Sequence, residues 1–191
     1  ANTMPAPYYR FDGVDDKIHT GTSANLAYDD STKFSLDAWV KTTSTDSNQH
    51  IVSLWKAGSA VSDDIINIQM DSGAIVFYII EDWSAKYIAT STASTFNDGL
   101  WHHIIGTYDG STNNSGLNIY VDGTLQSSTD SGAGTITGFT ATDTLGIGNS
   151  GNWLASTFHE SEISGVKLWN KELSAAEVKE LYSGASVPFK Y

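Results

Sequence analysis

A chain of 191 residues without cysteine can form neither disulfides nor thiolate metal sites, so its stability has to come from packing. The balance of 22 acidic against 10 basic residues gives a formal charge of −12, which repels phosphate backbones and anionic lipid and sets nucleic acid aside as a partner. The length suits one domain over residues 1–191, and no run approaches the roughly 20 apolar residues of a membrane span, so membrane insertion is not expected.

Ala1-Asn2-Thr3-Met4-Pro5-Ala6-Pro7 has neither the basic region nor the apolar core of a secretory signal. Tyr8-Tyr9-Arg10-Phe11 reads as a short strand, and Asp12-Gly13-Val14-Asp15-Asp16-Lys17-Ile18 as a turn into a second one. Strict alternation in Phe34–Lys41 puts Phe34, Leu36, Ala38 and Val40 on a core face and leaves Trp39 on the other, for a helix, a loop or the outer sheet face to accommodate. His50–Lys56 is a further strand. Ile65–Met70 and Ala74–Ile80 form a hairpin through Asp71-Ser72-Gly73, Glu81–Ser84 reads as a turn, and Tyr87–Thr90 as a short strand.

Trp101–Tyr108 and Leu117–Val121 flank a stretch in which nearly every residue favours a turn, and Asp122-Gly123 supplies the positive φ angles of a tight turn into Thr124-Leu125-Gln126. Ser127–Thr142 is read as surface loops anchored by Ile136 and Phe139, followed by the strand Thr144–Gly148. In the long final strand Thr157–Trp169, Ile163 is out of phase with Val166 and Leu168, and a bulge near Ser164-Gly165 restores the phase. Ser174 with Glu177 forms a capping box for one helix, with Leu173 and Val178 as its staple and Val178, Leu181 and Tyr182 on its buried side. Short strands about ten residues apart predict an all-β sandwich.

The phrases Phe11-Asp12-Gly13, Trp101-His102-His103-Ile104-Ile105-Gly106-Thr107-Tyr108-Asp109-Gly110, Ile119-Tyr120-Val121-Asp122-Gly123 and Leu145-Gly146-Ile147-Gly148 together resemble the LamG-like or pentraxin-like jelly rolls of the concanavalin A-type lectin fold. With Asn170-Lys171-Glu172-Leu173-Ser174 the resemblance spans nearly the whole chain. It implies two antiparallel sheets in a jelly-roll sandwich with one short C-terminal helix. It also implies a binding or adhesion role for carbohydrate on a surface, outside or on a cell or virion. The alternative is a structural decoration component that contacts other subunits of a capsid, fibre or adhesin.

Glu160 and Glu162 share a strand face, as the paired carboxylates of a glycanase would. The third acidic residue of the glycanase motif is missing, so they read as solvated carboxylates on a non-enzymatic chain. His102 and His103 point to opposite faces and cannot chelate one ion together. Members of the family often hold Ca2+, and Asp12, Asp15 and Asp16 supply the hard oxygen ligands it prefers. The family's frequent Asp before the core of the final strand is Ser164 here. A glycan needs flat aromatic surface beside groups that read hydroxyls. Trp83 next to Asp82, and Trp153 with Asn149 and Asn152, have that composition.

Overall fold

The computed structural model describes residues 7–57, 63–82, 86–139, 142–149 and 158–183. Along these the chain forms β1 (Tyr9–Asp12), β2 (Ile18–His19), β3 (Phe34–Lys41), β4 (Gln49–Trp55), β5 (Asp63–Asp71), β6 (Ala74–Asp82) and β7 (Lys86–Thr95). Then follow β8 (His102–Tyr108), β9 (Leu117–Val121), β10 (Thr124–Leu125), β11 (Ser128–Ala133), β12 (Thr144–Ile147), β13 (Glu160–Trp169) and the helix α1 (Ala175–Ser183). Two antiparallel sheets result. Six strands run in the order β1-β13-β3-β8-β9-β10, and seven in the order β11-β7-β6-β5-β4-β12-β2.

The sheets meet through the residues that alternation turns inward. Phe34, Leu36, Ala38, Val40, Ile104, Leu117, Ile119 and Val121 are buried in one cluster with Ile66, Ile68, Phe77, Ile79 and Ile88 of the other sheet. Leu168 packs at the margin and is only partly buried. At Gly106 the layers come so close that a Cβ would lie 2.9 Å from Ile68 Cδ1 and 3.0 Å from Phe77 Cδ1.

The expected bulge is present. Pairing between β13 and β3 slips between Ser164 and Lys167, and Gly165 takes up the positive φ of 62°. Asp122 (φ 51°) and Gly123 (φ 77°) make the tight turn between β9 and β10. Ser174 and Glu177 close the capping box: the Ser174 amide donates to Glu177 Oε2 at 2.9 Å, and the Glu177 amide to Ser174 Oγ at 3.4 Å. The helix then covers the outer face of the six-stranded sheet, where Leu173 and Val178 pack on Ile105 and Tyr120. Trp39 is accommodated there, stacked on His103 at 4.8 Å and on Tyr182 at 6.0 Å. Tyr182 departs from its expected place, being 41% exposed while its ring stacks there.

Ser127–Thr142 is not loop throughout, because Ser128–Ala133 pairs residue for residue with β7 as an edge strand. Its side chains are almost all exposed, so no apolar alternation marks it, and backbone hydrogen bonds alone define it. Ile136 and Phe139 anchor the following stretch as expected.

Two imidazoles are fully buried. His50 of β4 and His159, which precedes β13, are each 0% exposed, and neither ring nitrogen of His159 has a hydrogen-bond partner. Near His50, Ser53 Oγ donates to Asn67 Oδ1 at 2.6 Å and Asn67 Nδ2 to Gln69 Oε1 at 3.1 Å. Burial lowers the pKa of His50 to about 4. Burial, and then the neighbouring His50, lower that of His159 to about 3.

Replacing Ile119 by Ala should cost about 2–5 kcal/mol in equilibrium urea denaturation, since the lost side chain leaves a cavity between the sheets. The buried imidazoles make a second prediction. An unfolded chain takes up protons on both near pH ~6.5, whereas the folded one refuses them until about 4 and about 3. Their contribution to stability is therefore complete above the unfolded value and is lost as pH falls. His159→Gln should reduce the stability lost between about pH 7.5 and about pH 5. An unchanged pH slope would refute this account of His159.

Candidate functional site

The phrase after β1 folds into a tight acidic turn. Gly13 adopts a φ of 78° and passes so near β13 that a Cβ there would sit 3.1 Å from Glu160 Cβ. Asp12 Oδ1 accepts from the Val14 amide at 2.8 Å, and Asp16 Oδ2 from the Asp12 amide at 3.0 Å. These bonds gather the carboxylates: one oxygen each from Asp12, Asp15 and Asp16 lie within 4.8 Å of one another, all on exposed residues. Such a set of hard oxygen donors fits a cation of the calcium type, with carbonyls and water completing its shell.

Beside this turn lies a cleft of about 370 Å³. β1 and its turn contribute Arg10, Asp12 and Asp16; β3 and the residues after it contribute Lys41, Thr42 and Thr43; Glu160 and Glu162 come from β13, and Gly99 from the chain before β8. Strand register explains this convergence, because Glu162 lies opposite Arg10 on one side and Lys41 on the other. Lys41 Nζ donates to Glu162 Oε2 at 3.0 Å, while Thr42 Oγ1 donates to the Glu160 carbonyl at 2.6 Å. An adjoining concavity shares Asp12 and Glu160 and adds Asp46, Gln49 and Phe158. Gln49 Oε1 accepts from the Glu160 amide at 3.0 Å, and the two residues are chain neighbours of the buried His50 and His159.

Among the described residues the large exposed hydrophobic side chains are Tyr8, Tyr9, Val14, Leu100, Leu125 and Tyr182; Tyr9 and Leu100 are next in the chain to Arg10 and Gly99 of the cleft lining. The Tyr8 ring meets that of Trp101 edge-on at 5.6 Å. His102 lies between two carboxylates, Nδ1 at 2.8 Å from Asp122 Oδ2 and Nε2 at 3.1 Å from Asp98 Oδ1. His103 faces the other side of the sheet, with Nε2 at 2.7 Å from buried Asp37, which also accepts from Lys167 at 3.3 Å.

Of the residues singled out for glycan contact, Trp83, Asn152 and Trp153 lie outside the described residues. Asp82 ends β6, in register with Asp63 and Lys86. Asn149 is 4% exposed, and its side chain hydrogen-bonds His19. The structure does not bring these two together. The register row just inside Asp82 runs from Ile80 through Ile65 and Trp55 to Thr144, the first residue of β12, whereas Asn149 follows the last. Asp12, Asp15 and Asp16 are brought together. At the position aligned with the family's Asp, Ser164 Oγ donates to the Pro7 carbonyl at 2.7 Å. The cleft itself was not read from the sequence, since Arg10, Lys41, Gly99 and Glu160 come from four distant stretches. The available signal was the pair Glu160 and Glu162 opposite an exposed, charged first strand.

A family model described as the concanavalin A-like lectin/glucanases superfamily matches residues 12–179. No curated protein sequence matches the chain. Among solved structures, the botulinum neurotoxin serotype G binding domain superposes with a TM-score of 0.66 at 21% identity over 94% of this chain and 43% of that one. Domains LG4-5 of the mouse laminin alpha1 chain give 0.62 at 15% identity over 92% and 45%. The binding domain of Paraclostridial Mosquitocidal Protein 1 gives 0.61 at 14% over 93% and 46%. The chain thus spans under half the length of each, and at these identities the likeness is one of fold.

Proposed function

The chain belongs to the concanavalin A-like lectin/glucanases superfamily, and within it we propose that it is a non-catalytic module that recognises carbohydrate on a surface, in an extracellular or surface-exposed setting. The observation that carries this reading is the cleft with a charged, hydroxyl-bearing lining, with exposed Tyr9 and Leu100 next in the chain to Arg10 and Gly99 of that lining. A sugar presents C–H faces that pack on aromatic side chains, and hydroxyls that need polar partners. Tyr8, Tyr9 and Leu100 suit the first demand, and Arg10, Thr43 and Glu160 the second. The solved neighbours named as binding domains support recognition as the general role.

Hydrolysis fits this lining poorly. A carboxylic acid that protonates a glycosidic oxygen is kept neutral by an apolar pocket. Glu160 is exposed and Glu162 is engaged by Lys41, so neither has that setting.

Asp12, Asp15 and Asp16 are proposed to hold Ca2+, which would offset the carboxylates around the turn and stiffen one border of the cleft. A ligand that binds only the folded state raises its melting temperature. Added calcium should therefore raise Tm, and Asp12→Asn should remove the increment. Equal melting curves with calcium and with chelator would leave an ordinary solvated turn.

Retention on an immobilised glycan panel tests the main reading. Tyr8→Ala and Leu100→Ala should each weaken retention roughly two- to tenfold, the equivalent of about 0.5–1.5 kcal/mol for one lost packing contact. Glu160→Gln and Glu162→Gln should expose no lost hydrolysis. The sequence-based contact set of Trp83, Asp82, Asn149, Asn152 and Trp153 is a separate proposal, and Trp83→Ala and Trp153→Ala in the same assay decide between the two faces. A panel that retains nothing would favour the surface-decoration reading instead.

A further inference from the structure

Resting on the cleft as the ligand site, we propose that His102 is a proton-controlled clamp that holds the Asp98-Gly99-Leu100 wall in place and releases it as pH rises. The chemistry of the contact requires the proton. A carboxylate can only accept hydrogen bonds, and a neutral imidazole has a single N–H. With Asp122 Oδ2 at 2.8 Å from one ring nitrogen and Asp98 Oδ1 at 3.1 Å from the other, both contacts are hydrogen bonds only when the ring is an imidazolium.

The two carboxylates are not equally anchored. Each also accepts one backbone amide, Asp122 that of His103 at 2.9 Å, but Asp122 is nearer the ring and its side chain is 33% exposed against 52% for Asp98. Loss of the proton therefore leaves the ring bonded to Asp122 and removes its bond to Asp98. The Asp98 carboxylate accepts the Leu100 amide at 2.9 Å, and the Gly99 amide donates to the Thr42 carbonyl at 3.0 Å. Gly99 and Thr42 both line the cleft, so the segment that loses its tether to the ring is part of the site.

The surroundings of the ring agree. The hydrogen bond to Asp122 raises the His102 pKa, the contact with Asp98 adds to it, and partial burial opposes both. These carboxylates, from the β9–β10 turn and the β7–β8 connection, are the charged groups that act on the ring. Phe96 packs edge-on at 5.3 Å, and Val40, its partner in β3, carries no charge. His103, Asp37 and Lys167 interact on the opposite face of the sheet. Because the folded pKa is raised, the clamp is closed in acid and opens as pH climbs through it.

Nuclear magnetic resonance of the isotopically labelled chain tests this without any ligand. His102 should titrate above its ordinary ~6.5, and the Gly99 and Leu100 amide shifts should follow the same curve. Asp98→Asn should move the His102 midpoint down and leave both amides flat. The glycan panel at about pH 5.5 and about pH 8.5 gives the functional arm. The wild type should bind more weakly at the higher pH, and Asp98→Asn should show no such dependence. Amides that ignore the His102 titration, a midpoint unmoved in Asp98→Asn, or measurable wild-type retention that is the same at both pH values would each overturn the proposal. If the clamp titrates as described while no glycan is retained at either pH, the clamp stands and the carbohydrate reading fails.

Discussion

Two sheets pressed face to face leave no room for error in which side chain points inward. At Gly106 the space between β8 and the Phe77 and Ile68 side chains does not admit a methyl group. That close approach fixes β8, and β8 fixes its neighbours. On one side β3 pairs with it from Phe34 to Val40; on the other β9 pairs from Leu117 to Val121. The spacing of the layers is thus set from inside, by a missing side chain, while α1 closes the sheet from outside.

The cleft is a product of the same register. Arg10, Glu162 and Lys41 form one cross-strand row although they are far apart in the chain. Long-range pairing, not local sequence, puts two basic groups among four carboxylates.

The sandwich was legible because its signals are local. Alternation in Phe34–Lys41, the Asp122-Gly123 turn, the phase slip around Ser164-Gly165 and the Ser174–Glu177 box each depend on residues a few positions apart. β11 escaped because an edge strand exposed on both faces needs no apolar period, and its Ser, Thr and Gly look like loop. Function was less legible for the opposite reason. Asp12, Asp15 and Asp16 could be grouped because one turn contains them, but Arg10, Thr42, Gly99 and Glu160 meet only once the register is set. Composition suggested Asn149 as a hydroxyl reader, and composition cannot show that its side chain turns inward to His19.

The buried His50 and His159 are chain neighbours of Gln49, Phe158 and Glu160, which line the adjoining concavity, and His102 is hydrogen-bonded to Asp98 beside Gly99 of the cleft, so burial and a carboxylate pair push imidazoles around one recess in opposite directions. On descending from alkaline conditions the wall is secured before either buried ring accepts a proton in the folded chain, since one set of values is raised and the other falls to about 4 and about 3. In the folded chain, acid thus meets the proposed clamp first and the buried rings last, and a substitution at either histidine system would displace one response without the other.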